Sequence, residues 1–156
     1  MSSLNQFKII FLGDAGVGKS SIIHRYIMEQ FLVNPDSTLG TAFYCKTLMK
    51  HGEMVKLNIW DTSGEEKFRS LTNLYYQDAD AAVLTYDLSK LESMDGVEFF
   101  KEELEENGPS DMGSSQFFLI LVICLVGNKR DLVTDQQALN SDIEDYAKVN
   151  LLRCKF

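Results

Sequence analysis

Eight residues constrain this chain more than any others. Gly13-Asp14-Ala15-Gly16-Val17-Gly18-Lys19-Ser20 fits the pattern GxxxxGK followed by Ser or Thr at every fixed position. Its flanks fit as well. Phe7 to Leu12 is short, apolar and partly β-branched, and stops at glycine, as a buried strand does. After the motif, Ile22, Ile23, Tyr26 and Ile27 recur at helical spacing within Ser20 to Gln30. A glycine-rich turn between a buried strand and a helix lets backbone N–H groups face inward as an anion nest, at the positive end of the helix dipole. Gly16, Val17, Gly18, Lys19, Ser20 and Ser21 are therefore candidate phosphate-binding residues. Lys19 can reach terminal phosphates, and the Ser20 hydroxyl can serve Mg²⁺. The pattern alone does not choose a base, because kinases and transport ATPases share it.

The rest of the chain alternates apolar runs with amphipathic stretches. Residues 31 to 41 read as loop around Asn34-Pro35-Asp36-Ser37. Strands are predicted over Ala42–Met49 and Met54–Trp60, with His51-Gly52 as a hairpin turn, and over Ala79–Tyr86 and Leu119–Val126. Between the last two, residues 92 to 106 put Val97, Phe100 and Leu104 on one helical stripe. The same stretch holds seven carboxylates and one lysine, which read as a solvated helix face. Leu139–Val149 is the last predicted helix. This order implies one α/β domain over 1–156, a P-loop NTPase with a mostly parallel central sheet and helices on both faces.

Composition narrows the partners. Fifteen basic against twenty-three acidic side chains give −8 at pH 7, the wrong sign for a protein that neutralises nucleic-acid phosphates. Cys45, Cys124 and Cys154 are odd in number and far apart, which fits a reducing cytoplasm better than a disulfide scaffold. Met1 to Lys8 lacks the pattern of a secretory signal. The longest apolar run, Phe117 to Val126, has ten residues, where a membrane helix needs about 20.

Two more motifs select the base and suggest a switch. Asn128-Lys129-Arg130-Asp131 follows the apolar strand ending Leu125-Val126-Gly127. In such an NKxD element the Asp131 carboxylate can accept two hydrogen bonds from the N1–H and N2 amino groups of guanine, while adenine leaves it unpaired. The Lys129 stem can lie over the purine. Asp61-Thr62-Ser63-Gly64 follows the strand ending at Trp60: Asp61 can hold Mg²⁺ through water, and the Gly64 N–H can meet a γ-phosphate. Thr38, in the loop after the first helix, can join the metal only when a third phosphate draws that loop in, which makes a switch.

With phosphate loop, loop threonine, DxxG and NKxD in this order, the chain resembles the Ras superfamily of small GTPases. Leu39-Gly40-Thr41-Ala42-Phe43, Lys56 to Thr62, Lys67-Phe68-Arg69-Ser70-Leu71, Tyr75-Tyr76 and Leu84-Thr85-Tyr86-Asp87 resemble segments typical of Rab proteins, over about residues 6 to 153. The resemblance implies a GTP/GDP switch with Mg²⁺ as cofactor that hydrolyses GTP in vesicle traffic, at the cytosolic face of endomembranes. It also implies that Phe31 flanks the guanine, and that Phe43, Trp60 and Tyr75 form an aromatic triad for effectors. Exchange factors and GTPase-activating proteins would meet the same switch loops. Read without the family, these three aromatics fit a core better than an interface. A P-loop kinase would need a lid with arginines and would not need NKxD.

Three departures from the Rab pattern stand out. Glu65 follows Gly64 where the family has a glutamine that orients the attacking water. A glutamate accepts from that water but donates nothing onward, and two unit charges about 4 Å apart repel by about 4 kcal/mol at an effective dielectric near 20. Slow intrinsic hydrolysis is expected, the alternatives being a binding module with little or none, or a non-functional truncated product. Roughly eight surplus residues fall in Gly113 to Leu121, read either as a longer strand or exposed patch, or as an unspliced intron. The chain stops at Phe156, before the last strand, SAK-type loop, last helix and prenylated tail expected of the family. Cys154 stands in no usual Rab ending, so no lipid anchor is evident.

Overall fold

Apolar side chains on both sides of a strand demand cover on both faces, and Phe7 to Leu12 has them. In the computed structural model, which describes residues 5–31, 36–108 and 121–134, this segment lies inside β1 (Asn5–Leu12) at the centre of a five-stranded sheet. The other strands are β2 (Thr41–Lys50), β3 (Glu53–Thr62), β4 (Ala81–Asp87) and β5 (Val122–Asn128). Their order is β2-β3-β1-β4-β5. β1 pairs in parallel with β3 and β4, and β4 with β5, whereas β2 and β3 are antiparallel. Lys50 faces Glu53 across the hairpin, leaving the predicted His51-Gly52 as a two-residue turn with φ of 51° and 83°. Positive φ at both central residues matches the twist of the flanking strands.

Helices cover both faces. On one side α1 (Lys19–Met28) places Ile23 against Phe11 and Ile59. On the other, α2 (Arg69–Tyr76) and α3 (Met94–Asn107) close over Ile10, Leu12, Ala82, Leu84 and Tyr86. The predicted stripe of α3 is buried as Val97, Phe100 and Leu104, with Glu98, Glu102, Glu105 and Glu106 exposed opposite. α2 was not predicted. Its inward side chains are Thr72 and Tyr76 while Leu71 and Leu74 are exposed, so hydrophobicity points the wrong way for a periodicity argument. Short 3₁₀ turns precede α2 and α3 at Glu66–Phe68 and Leu91–Ser93, and a third, Arg130–Leu132, follows β5.

The surplus segment up to residue 120, the predicted helix Leu139–Val149 and everything expected of the C-terminus lie outside the described residues; Leu121 is buried in the core. Among the described residues no helix is long and apolar enough to cross a membrane.

Phe100 is fully buried between α3 and the sheet. Phe100→Ala should lower stability by about 3–5 kcal/mol, through lost transfer energy and the cavity left behind. Urea unfolding followed by circular dichroism should show the lower midpoint at an unchanged slope.

Candidate functional site

Parallel strands deliver their carboxyl ends to one edge of the sheet, and loops leaving that edge build the site. Gly13 to Gly18 leave β1, Ser63 to Glu65 leave β3, and Lys129 to Asp131 leave β5. They meet in one cleft of about 1010 Å³. Gly16, Gly18, Lys19, Ser20, Ser21, Phe31, Thr38, Gly64, Glu65, Asn128, Lys129 and Asp131, all predicted from sequence, line it. Two predicted residues do not reach its surface: Val17 and Asp61 are buried behind it.

The loop is held by its own backbone and by Asn128. Lys19 is almost wholly buried, and its ammonium donates to the carbonyls of Gly13 (2.7 Å) and Asp14 (2.9 Å). Burial pulls its pKa down to about 8, against the Asp61 and Asp14 carboxylates, which act to raise it. The Asn128 amide donates to the Val17 carbonyl at 2.8 Å, tying the glycine-rich loop to the NKxD element across 111 positions of sequence. Gly18, at φ 100°, permits this: a Cβ there would lie 2.1 Å from Asn128 Nδ2.

The NKxD end of the cleft is positioned by a residue that sequence reasoning missed. Lys129 adopts a left-handed backbone (φ 61°), and its ammonium lies 2.7 Å from Asp87 Oδ2. Asp87 ends β4 directly opposite Asn128 in the parallel register, and its Oδ1 accepts from the Ser89 amide (2.9 Å) and hydroxyl (2.6 Å). Burial acts upward on the Asp87 carboxyl. Lys129 and Ser89 outweigh it and bring the pKa below its ordinary value. The signal that could have found Asp87 is register, since strand ends that pair in parallel place their side chains together.

Glu65 pairs with Lys67 at 2.7 Å, so its charge is shared with a neighbouring cation. Phe43, Trp60 and Tyr75 do come together: ring centroids lie 5.1 Å apart for the first pair and 4.9 Å for the second. Phe43 is exposed, while Trp60 and Tyr75 are half-buried against the α3-side core, so the cluster is both surface and core edge.

With this geometry in place, comparison with known proteins is direct. The Ras family model matches residues 8–156. The chain is 37% identical to human Ras-related protein Rab-22A over 145 residues, covering 93% of this chain and 70% of that one. It is 36% identical to rat Ras-related protein Rab-31 over 148 residues, 95% and 71% of the two chains. To the rice Ras-related protein RGP2 it is 39% identical over 127 residues, 81% of this chain and 54% of the relative. The chain belongs to the Ras family, as a Rab-type small GTPase. Such a GTPase is a switch that binds guanine nucleotides, hydrolyses GTP and engages regulators and effectors.

Ras-family GTPases work with Mg²⁺, and the donor set here fits that ion. Asp61 is 1% exposed and its Oδ1 has no hydrogen-bond partner among the described residues. The Ser20 and Thr38 hydroxyls lie 2.8 Å apart. Burial raises the Asp61 pKa, opposed by Ser20, Lys19, His24 and Thr38. One carboxylate and two hydroxyls beside a phosphate cradle suit a hard cation that takes its remaining oxygens from water and phosphates. Asp61→Asn should weaken Mg²⁺-dependent GDP retention by about tenfold or more, a typical cost for a disturbed metal shell. Release of a fluorescent GDP titrated with Mg²⁺ would measure it, and a wild-type Mg²⁺ response would remove Asp61 from the site.

Proposed function

We propose that this Rab-type GTPase regulates vesicle traffic at the cytosolic face of endomembranes, with the predicted cleft residues as its guanine-nucleotide site. The observation that carries the reading is the Asn128–Val17 bond, which joins a phosphate cradle and an NKxD element in one cleft of sufficient volume. Asp131 accepts from the guanine N1–H and N2 amino groups. Lys129, held by Asp87, lies along the purine, and Phe31, exposed at the rim, closes the other side.

At the phosphate end the backbone N–H groups of Gly16 to Ser20 and the Lys19 ammonium stabilise charge on the transferring phosphoryl group. Ser20, Thr38 and Asp61 are the residues that would hold Mg²⁺, which would supply positive charge against the phosphates. The Gly64 N–H meets the γ-phosphate, and Thr38 reports its presence to the partner-facing surface around Phe43, Trp60 and Tyr75.

Hydrolysis is slow in this reading, because Glu65 accepts from the attacking water without passing on a hydrogen bond. Its pairing with Lys67 supports a second reading, a switch that binds nucleotide and turns over little until a partner supplies the missing donor. Displacement of fluorescent GDP by GTP but not ATP tests the site; equal competition by ATP would sink it. In single-turnover assays Glu65→Gln should raise the hydrolysis rate by about tenfold, the lower range for a positioned hydrogen-bonding group being 10²-fold and the glutamate retaining part of it. Equal rates would exonerate Glu65.

A further inference from the structure

Asp14 occupies one of the variable positions of the phosphate loop, where the motif asks for nothing in particular. It nevertheless makes contacts to four separate parts of the molecule. Its carboxylate Oδ1 accepts from Arg69 Nη2 at 3.0 Å, at the start of α2. The Arg69 guanidinium also lies 4.5 Å over the Phe99 ring of α3, and Glu66 at 3.8 Å is a distant, exposed second partner. Gly96, in the first turn of α3, leaves the carboxylate its room: a Cβ at that position would fall 2.5 Å from Asp14 Cγ and Oδ1. The backbone of Asp14 is engaged as well. Its carbonyl accepts from Lys19, and Gly64 packs so closely that a Cβ there would sit 2.2 Å from Asp14 C and Ala15 N.

One residue of the loop thus touches the phosphate-binding lysine, the glycine after β3 and the helix that carries Tyr75. We infer that Asp14 and Arg69 form a brace that couples the state of the phosphate loop to the position of α2, with Arg69 as a positioning residue for the switch. The pair is well suited to this. Both side chains are mostly shielded, at 31% and 26% exposure, where a charge-assisted bond is less screened than at the open surface. The planar guanidinium is fixed from a second side by its stack on Phe99, so a change in loop position must either carry α2 along or break the bond.

A γ-phosphate recruits Lys19 and Gly64 together, which are the two groups in contact with the Asp14 backbone. A docked α2 then adds the Arg69 bond to the triphosphate-bound arrangement. By linkage, an interaction made more fully in one nucleotide state raises affinity for that nucleotide relative to the other. The brace therefore favours GTP over GDP. This assignment rests on the guanine-nucleotide reading of the cleft.

The test is the ratio of affinities for a non-hydrolysable GTP analogue and for GDP, measured by displacement of fluorescent GDP from wild type, Asp14→Asn, Arg69→Gln and the double variant. Each single variant should lower the analogue:GDP ratio by about fivefold, the lower end of coupling between sites. The double should fall no further than the stronger single. A purely structural brace would weaken both nucleotides alike and leave the ratio unchanged, and an unchanged or raised ratio overturns the inference. Effects that multiply in the double overturn it too, since the two residues would then act separately. Should Arg69→Gln not fold, Arg69→Lys keeps the charge while losing the planar stack, and should lower the ratio part of the way; a wild-type ratio there is again a refutation. Wild type that binds neither nucleotide overturns the guanine reading and the brace together, whereas wild type that binds both isolates the brace.

Discussion

Parallel pairing is the constraint on which the rest of this molecule depends. Because β1, β3, β4 and β5 run the same way, Gly13, Asp61, Asp87 and Asn128 arrive at one edge of the sheet without any long-range recognition between them. Each belongs to a different loop or strand end, and none needs to be placed by its own fold. The register does the placing. A one-residue slip between β4 and β5 would move Asn128 off the Asp87 level, turn its side chain to the opposite face and break its bond to Val17.

Most of this was legible because the relevant signals are local. A glycine-rich turn between an apolar strand and an amphipathic stretch marks the loop that lines the cleft. Val97, Phe100 and Leu104 identify the buried stripe of α3 on the same grounds. The NKxD and DxxG elements could be placed at strand ends because the strands themselves read as short apolar runs. Spacing alone does not single out Phe31 or the aromatic triad; the family resemblance does, and the structure puts Phe31 on the cleft and the three rings together.

What stayed hidden depends on pairing between distant segments or on shape. α2 carries no apolar periodicity, because its buried side chains are Thr72 and Tyr76 while Leu71 and Leu74 are exposed. Asp87 is one more polar residue after a strand until the register sets it opposite Asn128. Asp14 sits where the motif is silent, and Gly96 is an unfavourable helix residue until the carboxylate beside it is seen. The ion pair of Glu65 with Lys67 is likewise set by the shape of the loop after β3 and not by the motif.

The aromatic cluster has an optical consequence. Trp60 is the sole tryptophan of the chain, wedged between Phe43 of β2 and Tyr75 of α2. Its indole sits half-buried between the hairpin and α2, with the Lys8 ammonium 5.9 Å from its ring. Emission from a single indole depends on the polarity and packing around it. The protein therefore carries a built-in fluorophore where β2, β3 and α2 meet, and needs no label for that junction to be watched.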